Sequence, residues 1–494
     1  MNTETISKYI TTGLFVLSSF VSIAQSQIKV DRIITTIGQP NLAPEDRLNQ
    51  EDIADGIHSL KVIRKAGMKV FSTPFNKHDG YGDGEPDLTL LDNRSPGNRP
   101  TLQGNKTFLR VNGLDSQTCL ECHTIISNAT VPMLLGVGGV GAVSQNAIVK
   151  PDDIGVADVD NDGNAEFNGR FINPPFLFGS GGVELVGLEM TQDLQHLKQL
   201  ALNNPGTAVE LVTKGIEFGS ISADANGLID TTAIEGVSDD LVVKPFGRKG
   251  EFATVREFDV DAMAFHLGMQ ATELVGVDVD KDGDGVVNEL KDGDLSALSI
   301  FNTTMNRPLE LKRNTDEGQG FEVFNSIGCA DCHKPQLNTL TKTLPYKLIG
   351  ENHKPFENSF FSVDLSQYPT SFKKNNQGGI AVNLFSDLKQ HYMGEALKET
   401  FSLATDKQNG EFITARLWGI ADTAPYLHDG RALTLEDAIR LHDNPGSEAT
   451  TAGQNFKSLE TVEQENLIKF LNTLRTPPRP NLDVLPRVEM LLHN

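Results

Sequence analysis

Two copies of one short motif contain all four cysteines of this 494-residue chain. The motifs are Cys119-Leu-Glu-Cys122-His123 and Cys329-Ala-Asp-Cys332-His333. This spacing is typical of c-type haem attachment, in which two thiols bond to the porphyrin and the adjacent histidine ligates the iron. A thioredoxin-like redox pair or half of a zinc site would share the Cys-x-x-Cys spacing. Because both pairs are followed by histidine and no cysteine remains for a disulfide or zinc, the sequence predicts two covalently bound haems c and a redox function.

An acidic segment just past the middle of the chain has the spacing of an EF-hand calcium loop. The predicted calcium ligands are Asp278, Asp280, Asp282, Asp284 and Glu289, with Gly283 at the turn. The alternative is an acidic turn that binds no cation. A second segment starting at Asp158 repeats only the first half of the pattern, since its twelfth position is Gly169 and Glu166 would have to substitute. We expect any bound calcium to be structural.

The net charge and the N-terminus restrict the location and the partners of the chain. A net charge of −23 argues against binding to nucleic acid or to anionic membrane surfaces. Lys8 precedes an apolar run over residues 10–24 that ends in small residues, as in a secretory signal peptide. The alternative is a membrane anchor, although the run is shorter than the roughly 20 residues that a spanning helix needs. We therefore expect a periplasmic or secreted protein without a transmembrane segment in the mature chain.

Apolar residues at helical spacing dominate the remaining sequence. Helices are predicted over residues 50–66, 185–202, 258–274, 295–305 and 461–474, and from 314 into the second motif. Short strands are expected between 209 and 246, and glycine-rich or polar loops over 76–101 and 136–141.

These patterns predict a mainly α fold with two cytochrome c-like haem domains. The N-terminal domain is enlarged by insertions and loops and has little β structure. The predicted boundaries are 1–26 for the signal peptide, 27–304 for the N-terminal haem domain with its calcium-type loops, 305–480 for the C-terminal cytochrome c domain and 481–494 for a tail.

Longer motifs lie around and between the two cysteine motifs. They are NPPFLFG at 173–179, FSDL at 385–388 with His391 and Met393-Gly394, LWGI at 417–420, APYLHDGRA at 424–432 and TLEDAI at 434–439. Together they resemble the di-haem cytochrome c peroxidase superfamily, most closely its di-haem oxidoreductase branch. The resemblance covers roughly residues 60–480, and residues 76–118 look like an insertion before the first haem.

The resemblance implies a sixth iron ligand for the C-terminal haem at His442, where classical peroxidases of the group have methionine. This implies a bis-His haem of low potential. The alternatives are a surface His442 with Met393 or His391 as the ligand, both of which we expect to lie in a helical stretch. His428 and Arg431 are expected near this haem, where either can hydrogen-bond a propionate. Trp418, the only tryptophan, is expected either to relay electrons between the haems or to pack on one of them.

The resemblance makes the N-terminal haem, with His123 as proximal ligand, the reactive centre. Peroxide chemistry needs an open iron position and a distal acid or base, and the candidates are Glu184 and Glu189. If His78, His196 or Met190 ligates this iron, it is closed and serves electron transfer. His196 and His266 are expected to be packed or surface residues of helices.

The function implied is an exported di-haem c-type oxidoreductase, peroxidase-like. Electrons enter at the C-terminal bis-His haem and pass to the N-terminal haem, which reduces peroxide or uses it to oxidise a substrate. The expected partners are a small-molecule oxidant, peroxide or dioxygen, and an unknown electron donor or organic substrate. The alternatives are an electron-transfer cytochrome with both irons six-coordinate and a di-haem oxygenase.

Overall fold

The computed structural model describes residues 39–82, 117–126, 148–155, 166–399 and 405–485. The predicted signal peptide, the glycine-dense turn at 136–141, most of the 76–118 insertion and the Asp158 loop lie outside these residues. Among the described residues, no helix is long and apolar enough to cross a membrane.

Helices account for more of the described chain than strands do. In chain order they are α1 Gln50–Ala54, α2 Leu60–Ser72, α3 Ser180–Asn203, α4 Val255–Ala262, α5 Thr272–Val275, α6 Asp292–Thr303, α7 Thr315–Ser326, α8 Cys329–Cys332, α9 Asp406–Gly410, α10 Leu435–Arg440, α11 Thr450–Ser458 and α12 Thr461–Leu471. Short 3₁₀ turns occupy Pro44–Asp46, Cys119–Glu121 and Ile420–Asp422, and a π-helical turn at Met263–Leu267 continues α4.

The strands form small antiparallel sheets of two or three strands each. They are β1 Ile148–Gly155, β2 Glu166–Ile172, β3 Val209–Thr213, β4 Ile216–Ala223, β5 Ile229–Asp230, β6 Leu309–Glu310, β7 Leu337–Asn338, β8 Thr343–Tyr346, β9 Phe361–Asp364, β10 Lys373–Lys374, β11 Ile380–Val382, β12 Gln390–Tyr392, β13 Glu411–Ile413 and β14 Leu474–Arg475. The fold therefore mixes α and β structure, and it contains more β structure than the sequence analysis predicted. The division into two haem domains stays a prediction.

Close helix packing builds the core before the second motif. Helix α2 lies against α6 at Gly67, where a Cβ atom would stand 2.0 Å from the carbonyl oxygen of Ala297. Arg64, on the same helix, is fully buried and donates to Asp483 at 2.8 Å and to the Thr304 carbonyl at 2.7 Å. The tail of the described chain is thereby held against this core.

A second core surrounds the second motif. Helix α7 begins with a capping box between Asn314 and Glu317 and packs on α12. A Cβ at Gly320 would lie 1.9 Å from the carbonyl oxygen of Asn466, so the two helices approach with no side chain between them at this point. Phe324 and Phe470 fill the contact, with ring centroids 5.4 Å apart.

Three predicted helices differ from those observed. The 50–66 helix divides at Gly56, whose φ of +68° is a left-handed conformation that glycine adopts without strain. The 258–274 helix divides at Gly268 for the same reason, with φ +75°. The 461–474 helix ends at Leu471, because Leu474 pairs with β6. Apolar spacing alone could not show these breaks.

Candidate haem sites

The second motif forms a short helix, α8, that begins after Gly328 with φ +97°. His333 follows the helix, and its Nδ1 lies 3.1 Å from the carbonyl oxygen of Phe385. A hydrogen bond from Nδ1 to a backbone carbonyl fixes the ring orientation and leaves Nε2 as the metal-binding atom. Cys329 and Cys332 are not in a disulfide, so both thiols are available to a haem.

His442 stands opposite His333 across a short gap. It follows α10, and its Nδ1 lies 2.8 Å from the carbonyl oxygen of Ala438. The two imidazole centroids are 6.5 Å apart, with ring planes at 55°. Two imidazoles on opposite sides of one metal ion, each with a metal–nitrogen bond of about 2 Å and a nitrogen about 1 Å from its ring centroid, would have centroids about 6 Å apart. The residues therefore fit a bis-His haem.

Both rings are in the protonation state that binds iron. Desolvation inside the fold and the proximity of His442 together lower the pKa of His333 to about 4. Desolvation also lowers the pKa of His442. At neutral pH both imidazoles are uncharged, which is the form that ligates metals.

The first motif repeats this arrangement. Cys119–Glu121 form a 3₁₀ turn, and His123 Nδ1 lies 2.8 Å from the carbonyl oxygen of Pro175. Pro175 is 52 residues beyond His123, and Phe385 is likewise 52 residues beyond His333. Desolvation lowers the pKa of His123 to about 4. Each motif histidine is thus oriented by a carbonyl at the same distance along the chain, a repeat that the sequence motifs did not indicate.

A known protein family matches the part of the chain that contains the second motif. Residues 277–474 match the family model described as "Di-haem oxidoreductase, putative peroxidase". The part of the chain that contains the second motif is therefore similar to this family. The matched residues contain the second motif and His442, whereas the first motif lies before them.

Two curated proteins with similar sequences come from Pseudomonas sp. (strain SCT). Cytochrome-c peroxidase IdrP2 is 26% identical over 207 residues, which are 38% of this chain and 51% of that protein. Cytochrome-c peroxidase IdrP1 is 26% identical over 165 residues, which are 33% of this chain and 40% of that protein. The chain thus spans about half the length, or less, of the curated relatives that it matches.

Solved structures give weaker similarities. A MauG-like protein associated with microbial copper homeostasis is 15% identical, with 58% of this chain and 89% of that chain covered and a TM-score of 0.28. Hydrazine synthase of Kuenenia stuttgartiensis is 16% identical, with 57% and 87% covered and a TM-score of 0.25. TM-scores this low establish no common fold.

His391, one alternative for the sixth ligand, is hydrogen-bonded to two carboxylates. Its Nε2 lies 2.9 Å from Asp387 and its Nδ1 2.7 Å from Glu448. Although desolvation opposes protonation, these hydrogen bonds and a further one to the Cys332 sulfur raise the pKa of His391 to about 11. A protonated imidazole has no lone pair for iron. The predicted helix around His391 and Met393 is wrong, because Gln390–Tyr392 form strand β12 against β13.

The His428 turn is linked to the first motif. The Asn173 side chain donates to the carbonyls of Pro425 at 2.8 Å and Leu427 at 2.9 Å, and its N–H donates to the His428 carbonyl at 2.9 Å. Asn173 is two residues before Pro175, the partner of His123. The structure therefore connects this turn directly to the segment that orients His123.

The His428 ring stacks on Phe412, with centroids 4.4 Å apart. Arg431 pairs with Asp429 and is half-exposed. Trp418 is buried against Phe372 and Gly179, and its Nε1 has no hydrogen-bond partner among the described residues. A buried donor without a partner suits a haem carboxylate, so Trp418 fits a position in contact with the cofactor.

Glu184 is a buried carboxyl group near the start of α3. Its Oε2 accepts the backbone N–H of Val255 at 2.8 Å. Desolvation raises the pKa of Glu184 to about 8, and the nearby Asp259, whose own pKa burial raises to about 7, adds to this rise. Glu184 also lines a cavity with Arg256 and Tyr346 that extends to residues 347–352. The group is therefore protonated at neutral pH and lies in a cavity.

Glu189 has the opposite environment, although it lies on the same helix and is equally buried. Its carboxylate pairs with Lys214 at 2.6 Å and accepts the backbone N–H groups of Leu340 and Thr341 at 2.9 Å. These contacts fix the Glu189 side chain between α3 and the chain after β7.

The remaining candidates near the first motif differ in position. His196 is exposed, and Met190 lies in the hydrophobic core. His266 is in the π-helical turn and is close enough to His123 to lower its pKa. The sequence treated His266 as a packed or surface residue, and only the turn in the chain brings it to His123.

The predicted calcium ligands are only partly brought together. Ligand atoms of Asp280, Asp282 and Asp284 lie within 4.8 Å of one another. Asp278 is not in this group, since its side chain accepts from Asn288 at 2.7 Å.

Proposed function

We propose that this protein is an exported di-haem c-type peroxidase. His333 and His442 would hold the electron-accepting haem, and His123 would hold the haem at which peroxide is reduced. The observation that carries this proposal is the 6.5 Å separation of the His333 and His442 rings, each oriented through Nδ1. When bound, the haems supply one-electron redox chemistry and an iron position for peroxide.

Glu184 is the proposed proton carrier for peroxide reduction. Because Oε2 accepts the Val255 N–H, the proton is expected on Oε1. A general acid–base group of this kind contributes roughly 10²–10⁴-fold to rate when its pKa is near the working pH. The raised pKa of about 8 meets this condition.

The cavity beside Glu184 offers a path for proton resupply. Tyr346 and Thr303 line it, with their hydroxyl oxygens 2.7 Å apart, and it reaches the exposed residues near 350. Glu189 plays no part in this proposal, because its carboxylate is already bound by Lys214 and by the backbone N–H groups of Leu340 and Thr341.

His266 favours a second candidate function. If it ligates the iron opposite His123, both haems are six-coordinate and the protein is an electron-transfer cytochrome. The proximity of the two histidines is the observation behind this alternative.

The holoprotein distinguishes the two functions. A peroxidase should show a high-spin ferric component, bind cyanide at one haem and consume hydrogen peroxide with a reduced donor. An all-low-spin spectrum without cyanide binding or peroxide turnover would exclude the peroxidase and favour the electron carrier. His266→Ala would then open the first haem. A stable dioxygen complex in the isolated protein would instead indicate an oxygenase.

A further inference from the structure

The acidic loop between α5 and α6 contains two buried carboxyl groups that form no ion pair with a lysine or arginine among the described residues. Asp282 and Glu289 are 4% and 2% exposed. Asp282 Oδ2 has no hydrogen-bond partner among the described residues, although it lies in the group formed with Asp280 and Asp284. A buried carboxylate oxygen without a partner is costly unless a cation compensates it.

Glu289 is connected to this loop through Gln270, which donates its N–H to Glu289 and accepts from Lys281 through its side chain. Its Oε2 accepts the Gln270 N–H at 2.8 Å, and a Cβ at Gly80 would lie 2.2 Å from its side chain, so it is enclosed by backbone. Burial raises its pKa to about 9, and the charges of Asp282, Asp284 and Asp280 contribute. Among the described residues, no lysine or arginine forms a side-chain ion pair with these four carboxyl groups.

The donors are all oxygens, in a loop with glycine at its turn. Asp280 accepts the N–H groups of Gly283 at 2.7 Å and Gly285 at 3.0 Å, which curves the loop around the carboxylates. Hard oxygen ligands in a flexible loop select calcium over transition metals, and calcium accommodates them more readily than magnesium does.

The loop is hydrogen-bonded to the segment that follows His266. Leu290 donates to the Gln270 carbonyl at 3.2 Å and accepts from Thr272 at 2.9 Å, and Lys281 donates to the Gln270 side chain at 3.2 Å. Leu267, Met269 and Ala271 of this segment belong to the hydrophobic core against which Cys119 and Leu120 of the first motif pack.

We propose that Asp280, Asp282, Asp284 and Glu289 bind one Ca²⁺ ion, and that this ion fixes the 266–272 segment beside the first haem motif. Asp278 is not a ligand in this assignment and instead closes the loop through Asn288. The second part of the proposal rests on the proposed haem at His123, whereas the ion site does not.

The test of the ion site uses the haem-loaded full chain after chelation. Calorimetric titration with CaCl₂ should show one site and a rise in Tm, and Asp282→Asn and Asp284→Asn should lose both. Without calcium, Asp282→Asn should be at least as stable as the wild type, because it removes an uncompensated buried charge. Asp224→Asn is the matched control, since Asp224 caps a similar loop through Asn226 and Leu228 but is exposed. A wild type that binds no calcium, or an Asp282→Asn variant that binds it unchanged, would overturn the site.

The haem spectrum tests the coupling separately. Chelation should change the ferric Soret band of the wild type and of Asp224→Asn, and calcium should restore it. Asp282→Asn should show the chelated spectrum at all calcium concentrations. Calcium binding without any change in the spectrum would overturn the coupling and leave both the ion site and the proposed peroxidase function in place.

Discussion

Replacing Glu184 by glutamine removes the proposed proton carrier but keeps a side chain of nearly the same shape in the same place. The side chain is 4% exposed, and glutamine can keep the 2.8 Å hydrogen bond from Val255 through its carbonyl oxygen. What the replacement removes is a group whose pKa burial raises from 4.5 to about 8. The variant therefore changes protonation with little change in shape.

The raised pKa fixes the sign of the pH dependence. Below pH 4.5 the carboxyl group is protonated in both the folded and the unfolded chain. As the pH rises from 4.5 towards 8, Glu184 ionises in the unfolded chain but stays protonated in the folded chain. The free energy of unfolding therefore falls progressively over this range. At about 1.4 kcal/mol per pH unit, the free energy of unfolding at pH 7 is about 3 kcal/mol lower than it is below pH 4.5. Glutamine does not ionise, so Glu184→Gln should raise the free energy of unfolding at pH 7 by up to this amount.

Denaturant unfolding between pH 4.5 and 8 measures this difference, which should grow with pH. Peroxide turnover per haem should fall by about 10²–10⁴-fold, the usual contribution of a general acid–base group. Full turnover in Glu184→Gln would refute the proton-carrier assignment, and a stability difference that does not vary with pH would refute the raised pKa.

Glu189→Gln is the matched variant on the same helix. It breaks the buried ion pair with Lys214 and should lower stability by about 3–5 kcal/mol, the opposite sign to Glu184→Gln. If both variants lost turnover equally, the preference for Glu184 would be wrong.

Further predictions concern packing and charge. Gly67→Ala should lower the free energy of unfolding by about 1–3 kcal/mol in a denaturant titration, because its Cβ would meet the Ala297 carbonyl; Gly318→Ala, which has open space at a helical position, should not. Arg64→Met should lower the free energy of unfolding by about 3–5 kcal/mol in a thermal melt, because it leaves the charge of Asp483 uncompensated. Arg440→Met breaks an exposed ion pair and should lower it by less than about 1 kcal/mol. His391→Gln should destabilise most below pH 6.5 and progressively less as the pH approaches 11, because the raised pKa of His391 stabilises the fold only while the ring is protonated; a difference that is flat with pH would contradict this.

The sequence predicted the parts of the sites that depend on residue spacing. The cysteine motifs were evident from it, and the family resemblance supplied His442, which the structure brings opposite His333. The carbonyls of Pro175 and Phe385 could not be predicted, since any residue type can supply a carbonyl and the partner is 52 residues away.

Other features depend on long-range packing. Glu184 and Glu189 look alike in the sequence, and only Lys214, 25 residues beyond Glu189, distinguishes them. The position of His266 depends on the π-helical turn and on Gly268, which periodicity treats as continuous helix. Strand β12 was predicted as helix because its pairing with β13 is not encoded by local pattern.

The most direct test of the central claim is the electron paramagnetic resonance spectrum of the ferric holoprotein and of His442→Ala. The wild type should show one low-spin bis-His signal and one high-spin signal. In His442→Ala the low-spin signal should be replaced by a second high-spin signal, with two haems still bound. A low-spin signal that survives unchanged in His442→Ala would contradict the assignment of His333 and His442 to one iron.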